Sequence, residues 1–283
     1  MAPAPDQIIC VENGCTPEGV AFVRAHSPSE VQIVSTAENI GFSPAVNLGM
    51  EVALRGGANW VLLLNNDAVV DAKCLERCLV EAQTHPRVAA VGPAIVFADR
   101  PQQLWFGGGE VSQWFAFTRH RGLLRAASTP PPSGKTDFVT GCCMLLSKAA
   151  WTAIGPFRTD FFAYYEDAEW CQRAAARGWQ CRYVGEVLCS HAVGVTSARR
   201  NSLGLSETTA YYLARNPLRF ALETTNPVRR FTRVVGLTIV WNAYNAWRLL
   251  LAGRPNIAAA YAIGILDAWR GRMGPRSLVR AAQ

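Results

Sequence analysis

Several polar stretches in this 283-residue chain stand directly after apolar runs, and their residue types suit the handling of a phosphorylated ligand. Glu12-Asn13 follows the first run, Asn65-Asn66-Asp67 follows Trp60-Val61-Leu62-Leu63-Leu64, and His191 stands just beyond the run 181–188. In open α/β sheets ligands sit outside the carboxyl ends of the strands, so these positions are where chemistry is first sought. Asp67, preceded by two amides, could hold a divalent cation against the charge of a diphosphate. The same Asn-Asn-Asp also suits an Asx-turn that only closes the strand, and His191 reads either as a ligand or as a structural histidine. A further stretch, Tyr164-Tyr165-Glu166-Asp167-Ala168-Glu169-Trp170, gathers three acids at the opening of a helix. Acids there cap the helix and complement its dipole. A carboxylate among aromatics could equally act as a general base on a hydroxyl.

The elements that must position these residues alternate in an α/β rhythm. Short apolar runs at 7–11 and 31–34 predict two strands separated by a helix-sized segment. Helical spacing over 45–55 ends at Gly56-Gly57, and the strand at 60–64 is apolar on both faces, as parallel sheets require. A helix over 73–84 and a strand over 88–96 follow. Residues 99–135, with Gly107-Gly108-Gly109 and Thr129-Pro130-Pro131-Pro132-Ser133-Gly134, read as a long excursion that could cover a site. A strand over 138–146, short helix over 148–154, helix over 167–177 and last strand over 181–188 complete a mostly parallel sheet flanked by helices. The boundaries expected are a catalytic domain over 1–220 and a basic, amphipathic helical tail over 221–283.

The composition, 50% hydrophobic and 17% charged, excludes a disordered chain. Its net charge of +7 is uneven: residues 1–198 carry 15 Lys+Arg against 18 Asp+Glu, and residues 199–283 carry 13 Arg against 3 acids. An anionic partner surface for the tail follows, either membrane phosphates or nucleic acid, and the absence of RNA-binding or zinc-finger signatures disfavours nucleic acid. The 9 Cys have neither framework nor zinc spacing, which fits free thiols in a reducing compartment, and no secretory signal is visible. In the tail, Asn242, Asn245 and Arg248 recur every third residue of an apolar stretch over 233–251, predicting one polar face of a surface helix rather than a span. Trp241, Tyr244 and Trp247 lie at interface depth, Arg229, Arg230, Arg233 and Arg254 flank them, and 256–273 repeats the theme. Peripheral attachment to the inner face of the plasma membrane is one reading. Packing on the catalytic domain or in a homodimer is the other.

Taken in order, these blocks resemble a family 2 glycosyltransferase of the GT-A fold, in its bacterial rhamnosyltransferase-like branch. The resemblance covers roughly residues 7–220. It rests on Val11-Glu12-Asn13-Gly14, Asn39-Ile40-Gly41-Phe42 with Asn47, Leu63-Leu64-Asn65-Asn66-Asp67, Gly141-Cys142-Cys143-Met144-Leu145, Gly155-Pro156-Phe157, the acidic stretch, and Tyr211-Tyr212 with Arg215-Asn216. It implies a cytoplasmic enzyme moving a sugar, such as rhamnose from a deoxythymidine diphosphate, to a polysaccharide or lipid-linked acceptor of the cell envelope with Mg²⁺ or Mn²⁺. By that similarity Glu12 and Asn13 meet the nucleotide, Asn39, Gly41, Phe42 and Asn47 shape its pocket, and Asn66 flanks Asp67. Asp67 and His191 hold the metal and Arg215 stands near the diphosphate. Asp167 is the catalytic base with Glu166 as its neighbour, and Gly141, Tyr165 and Trp170 lie on the acceptor side. A strand and helix that usually precede the first block are missing, which implies a truncated chain or an inactive relative, and the intact later blocks favour truncation. A nucleotidyltransferase, which should show a Gly-rich, Lys-bearing phosphate loop, and a non-catalytic scaffold subunit are the rival expectations.

Overall fold

The structure is a computed structural model, and it describes residues 4–112, 117–192, 206–223, 226–236 and 241–276. The chain opens with β1 (Ile8–Asn13), α1 (Pro17–His26), β2 (Val31–Thr36), α2 (Phe42–Arg55), β3 (Trp60–Leu64), β4 (Ala68–Val70) and α3 (Cys74–Gln83). Then come β5 (Val88–Phe97), β6 (Arg100–Phe106), β7 (Gly109–Val111), β8 (Thr118–His120), β9 (Gly134–Thr136), β10 (Cys143–Ser147) and α4 (Lys148–Ile154). The remainder is a 3-10 turn (Thr159–Phe161), α5 (Glu166–Ala176), β11 (Gln180–His191), α6 (Glu207–Leu222), α7 (Pro227–Val235), α8 (Ala243–Leu251) and α9 (Pro255–Trp269). Caps expected from composition form where they should: Thr16, Ser147, Ser206 and Asn226 each accept a backbone N–H three residues on, and Pro17 and Pro227 open their helices.

The central sheet runs β3-β10-β5-β11-β4, with β6 added to β5 and β9 to β11. All ten residues of β5 are buried, which is why its apolar run alternates with nothing polar. The sheet is mixed, a correction to the mostly parallel one expected: among its described pairs only β5–β11 is parallel, while β10 lies antiparallel between β3 and β5. An apolar strand buried on both faces looks alike in either sense, so the pattern did not carry the direction. The excursion at 99–135 is more ordered than expected, being built of the short antiparallel strands β6 to β9. β1 and β2 pair parallel as a separate two-stranded ribbon on which α2 packs, and α1, which connects them, has no buried residue. Helices α3 and α4 pack on the central strands, and the core joins Cys74, Ile95, Leu145, Trp170 and Tyr183. Seven of the nine cysteines are buried, Cys15 is exposed, and all are free.

α6 joins two bodies of packing, sending Phe220 and Ala221 into the main core and Ala210 and Ala214 against α8 and α9. The approach of α6 to α9 is close: a Cβ on Gly264 would stand 2.3 Å from the Tyr211 carbonyl oxygen. The buried Asp267 of α9 accepts from the Tyr211 hydroxyl at 2.9 Å and pairs with Arg276. In the tail, α7 and α8 lie on either side of residues 237–240, which are outside the described residues, and Gly236, Trp241 and Asn242 at the edges of that stretch are helical.

Candidate active site

Two consecutive residues ahead of β10 organise the carboxyl end of the sheet. The Gly141 N–H donates to Asp167 Oδ2 at 2.9 Å, and the Cys142 carbonyl accepts from the Asn65 N–H at 2.9 Å. Asp67, two residues past Asn65, and Asp167, at the start of α5, therefore flank one strand entrance. β3 and β4 are joined by the Asn65-Asn66-Asp67 turn, in which the Ala68 N–H closes on the Asn65 carbonyl and Asn66 is exposed. The turn is closed backbone to backbone rather than through an Asx side chain. β4 pairs Ala68 with His191 of β11, which brings His191 Nε2 within 3.1 Å of Asp67 Oδ1. His191 lies inside β11 rather than beyond it, buried edge-on to Trp105 with ring centroids 4.5 Å apart.

The fold family implies a divalent cation, and this pair can be tested against it. Asp67 and His191 are an oxygen and a nitrogen donor converging from two strands, and His191 Nδ1 is buried without a hydrogen-bond partner among the described residues. Among the described residues no group of three or more His, Cys, Asp or Glu could hold a metal ion. The pair fits a cation that takes its other ligands from a bound diphosphate and water, the usual arrangement for Mg²⁺.

Where the resemblance leads one to expect the nucleotide, Asn13 of β1 locks the loop before α2. Its amide donates to Asn39 Oδ1 and to the Gly41 carbonyl, and its Oδ1 accepts from the Ile40 N–H at 2.9 Å. Gly41 has φ +95°, and a Cβ there would stand 2.6 Å from the Phe162 ring, so no other residue fits without strain. Phe42 then donates its N–H to the Phe162 carbonyl at 2.7 Å and lays its ring over Gly141. Glu12 is buried; one carboxylate oxygen accepts from the Ser35 hydroxyl at 2.6 Å and the other has no partner among the described residues.

The acids at α5 are held by a strained loop. Phe162, Tyr164 and Tyr165 all have positive φ, three of the five such non-glycine residues among those described. Such conformations persist only where the surroundings over-determine them. Here α6 does so: Asn216 donates to the carbonyls of Phe161, Ala163 and Tyr164, and Arg215 donates to those of Asp160 and Phe161. Asp167 accepts the Gly141 and Ala168 N–H groups, which favour its charge, yet burial wins and raises its pKa. Glu166, with one oxygen unpartnered, is pushed up to about 8 by burial and then by Asp167 beside it. Burial thus disfavours the charge on both carboxyls, and the carboxylate of Asp167 raises Glu166 further.

Glu166 stays protonated in the folded chain up to about pH 8, against 4.5 for an ordinary glutamate. Unfolding then releases a proton, and stability falls as pH rises through that window. Glu166→Gln is expected to remove that slope, so its melting-temperature gain over the parent should be larger above the window than below it. An equal difference at both ends would mean that Glu166 is ionised in the fold.

Three expected site residues sit elsewhere. Asn47 is closed on the Phe157 backbone through both ends of its amide, at 2.8 and 3.0 Å, and so clamps α2 to the loop after α4 instead of meeting a nucleotide. Trp170 is fully buried against Trp151 and Phe157, with its indole N–H on the Gly155 carbonyl, which makes it core and not acceptor surface. Arg215 is fully buried on backbone carbonyls rather than beside a diphosphate; it and Asn216 are positioning residues for the acidic pair. Tyr165 is half-buried and its hydroxyl accepts from the Thr118 N–H of β8 at 3.5 Å, which ties the hairpin β7–β8 to the acidic end.

A family model described as Glycosyltransferase like family 2 matches residues 2–210. An N-acetylglucosaminyl-diphospho-decaprenol L-rhamnosyltransferase of Mycobacterium tuberculosis is 25% identical over 247 residues, covering 77% of this chain and 80% of its own. Galactofuranosyltransferase GlfT1 of the same organism is 30% identical over 153 residues, covering 53% of this chain and 46% of its own. Among solved structures, the mannosyltransferase PcManGT of Pyrobaculum calidifontis, in complex with GDP-Man and Mn²⁺, superposes with a TM-score of 0.51 at 18% identity. That match covers 92% of this chain and 66% of the mannosyltransferase, and it shows a shared fold.

Proposed function

This chain belongs to the family 2 glycosyltransferases, of the GT-A fold and rhamnosyltransferase-like, and we propose that it is a metal-dependent inverting enzyme. The proposed reaction moves rhamnose from a deoxythymidine-diphosphate donor to a lipid-linked or polysaccharide acceptor of the cell envelope, in the cytoplasm. The observation that carries this reading is the placement of Asp67 with His191 and of Asp167 on two sides of Gly141-Cys142.

In the proposed step, Asp167 takes the proton of an acceptor hydroxyl while that oxygen attacks the anomeric carbon. The bond from that carbon to the diphosphate oxygen breaks as the new one forms, with inversion, and the nucleoside diphosphate leaves with the electron pair. A divalent cation on Asp67 and His191 would neutralise the charge that accumulates on the leaving group. Glu166, neutral beside Asp167, adds no second charge next to the base. Glu12 offers its unpartnered oxygen to an N–H of the nucleotide base, and Asn13 and Asn39 hold the loop against which the base rests. Similarity to the mycobacterial rhamnosyltransferase supports this choice of donor and acceptor, and the galactofuranosyl and mannosyl relatives are the reason to test other sugars.

The test is release of nucleoside diphosphate from a panel of deoxythymidine-, uridine- and guanosine-diphosphate sugars, with Mn²⁺ or Mg²⁺ and an N-acetylglucosaminyl diphosphate lipid. Turnover with the rhamnosyl donor, lost in EDTA, is expected. Preference for another donor would overturn the rhamnosyl assignment, and activity surviving EDTA the metal. A chain that neither turns over nor is stabilised by any donor would be a non-catalytic relative.

A further inference from the structure

We propose that the outward face of α7 and α8 is a docking surface for an anionic lipid bilayer. The helices are built inside out. Asn242, on the turn into α8, is 3% exposed and accepts from the buried Tyr261 hydroxyl at 2.8 Å, so it is a core contact and not part of the polar outer face its spacing predicted. The side chains left to solvent are Trp241, Tyr244, Trp247 (58% exposed), Leu250 and Leu251 (69%) on this segment, with Val228 and Phe231 (69%) on α7. A surface helix ordinarily shows the reverse pattern, and this many large apolar side chains left at the surface of neighbouring segments mark an interaction site.

Charge says what covers it. Residues 227–251 contain no acid, and Arg229, Arg230 and Arg248 are exposed among the apolar side chains. Arg233, expected to flank the face, is buried and adds nothing to it. Tryptophan and tyrosine with flanking arginines are the side chains favoured at the boundary between headgroups and acyl chains. No described helix is long and apolar enough to cross a membrane.

The face also has a defined place relative to the acidic site. The Trp241 ring packs on Phe117 with centroids 4.9 Å apart, and Phe117 lines a cavity of about 590 Å³ together with Arg119, Arg121 and Lys135. Thr118, the next residue, holds the Tyr165 hydroxyl beside Glu166-Asp167. A bilayer on α7 and α8 thus borders the acceptor end of the site, where a lipid-linked molecule can reach Asp167 without leaving the membrane.

Flotation of the full chain with vesicles decides this, independently of any sugar transfer. The parent is expected to float with vesicles of phosphatidylcholine and phosphatidylglycerol at low salt, and to stay behind with phosphatidylcholine alone. Arg229→Gln with Arg230→Gln and Arg248→Gln should weaken binding by about 100-fold at low salt and far less at high salt. Phe231→Ser with Trp247→Ser should weaken it at both, and both variants should keep the parent's melting temperature because the positions are exposed. A parent that ignores anionic vesicles, or variants that float equally well, overturns the proposal. So does a concentration-dependent dimer in light scattering that Phe231→Ser with Trp247→Ser dissolves, which would assign the face to a second copy.

Discussion

Asp167→Asn is expected to lower kcat by about 100- to 10,000-fold, the range a positioned general base contributes. The substitution keeps the size of the side chain but cannot take up the acceptor proton. It also turns one end of the group into a donor that must face the N–H of Gly141 or Ala168. That mismatch costs roughly 1–3 kcal/mol, so the variant should melt a few degrees lower and remain folded. Donor affinity, measured by calorimetry with nucleoside diphosphate and Mn²⁺, should stay within about threefold of the parent, because the base acts only in the transition state. Because burial holds Asp167 above the ordinary aspartate range, the parent's kcat should climb with pH over a limb that the variant lacks. Transfer within tenfold of the parent would remove Asp167 from the role of base.

Asp67→Ala is the second large effect expected, and it should appear in binding. A carboxylate in direct contact with a divalent cation contributes several kcal/mol, so metal-dependent affinity for a nucleoside diphosphate should fall by more than about 100-fold. Affinity measured in EDTA should not change, since Glu12, Asn13 and the α2 loop are untouched. His191→Ala should cost about tenfold, because a neutral ring nitrogen is a weaker ligand for a hard cation than an anionic oxygen. If calorimetry finds Asp67→Ala binding as tightly as the parent with Mn²⁺, the metal does not sit on this pair.

What the sequence disclosed depended on how local the signal was. Asp67 was readable because a strand apolar on both faces ends at Leu64 and polar residues follow at once. The acidic stretch was readable because three carboxylates open one helix. Asn47, Trp170 and Arg215 were misassigned for one shared reason: each is a polar or aromatic side chain adjacent to a motif, and its partner is far away in sequence. Asn47 meets Phe157, 110 positions on, and Arg215 meets Phe161, 54 positions back. The same holds for Asn242, whose partner Tyr261 comes from the next helix and reverses which face is outside. Strand direction failed too, because β10 reaches its place between β3 and β5 by pairings no window of sequence contains. Arg215-Asn216 could have been read otherwise: two strong donors, flanked by apolar residues in an amphipathic helix, are suited to collecting carbonyls from a strained loop.

Hydrogen bonding leaves the β1–β2 ribbon separate from the seven-stranded sheet, with α2 packed on both, and the two are expected to differ in rigidity. Two paired strands have little stability of their own, and α1 adds no buried side chain to them. The ribbon should therefore open at a lower free energy than the block holding β5 and β11. On the proposed reading, in which Glu12 and Asn13 meet the nucleotide, only the closed fraction would present them, and the apparent donor affinity would be the intrinsic one diluted by that fraction. Amide hydrogen exchange would display it: Ile8–Asn13 exchanging quickly in the free protein and slowing when nucleotide binds, while the amides of Val88–Phe97 are slow throughout. The donor would then supply part of the order of its own binding site, and substitutions that tighten the ribbon should raise affinity without altering the turnover of bound donor.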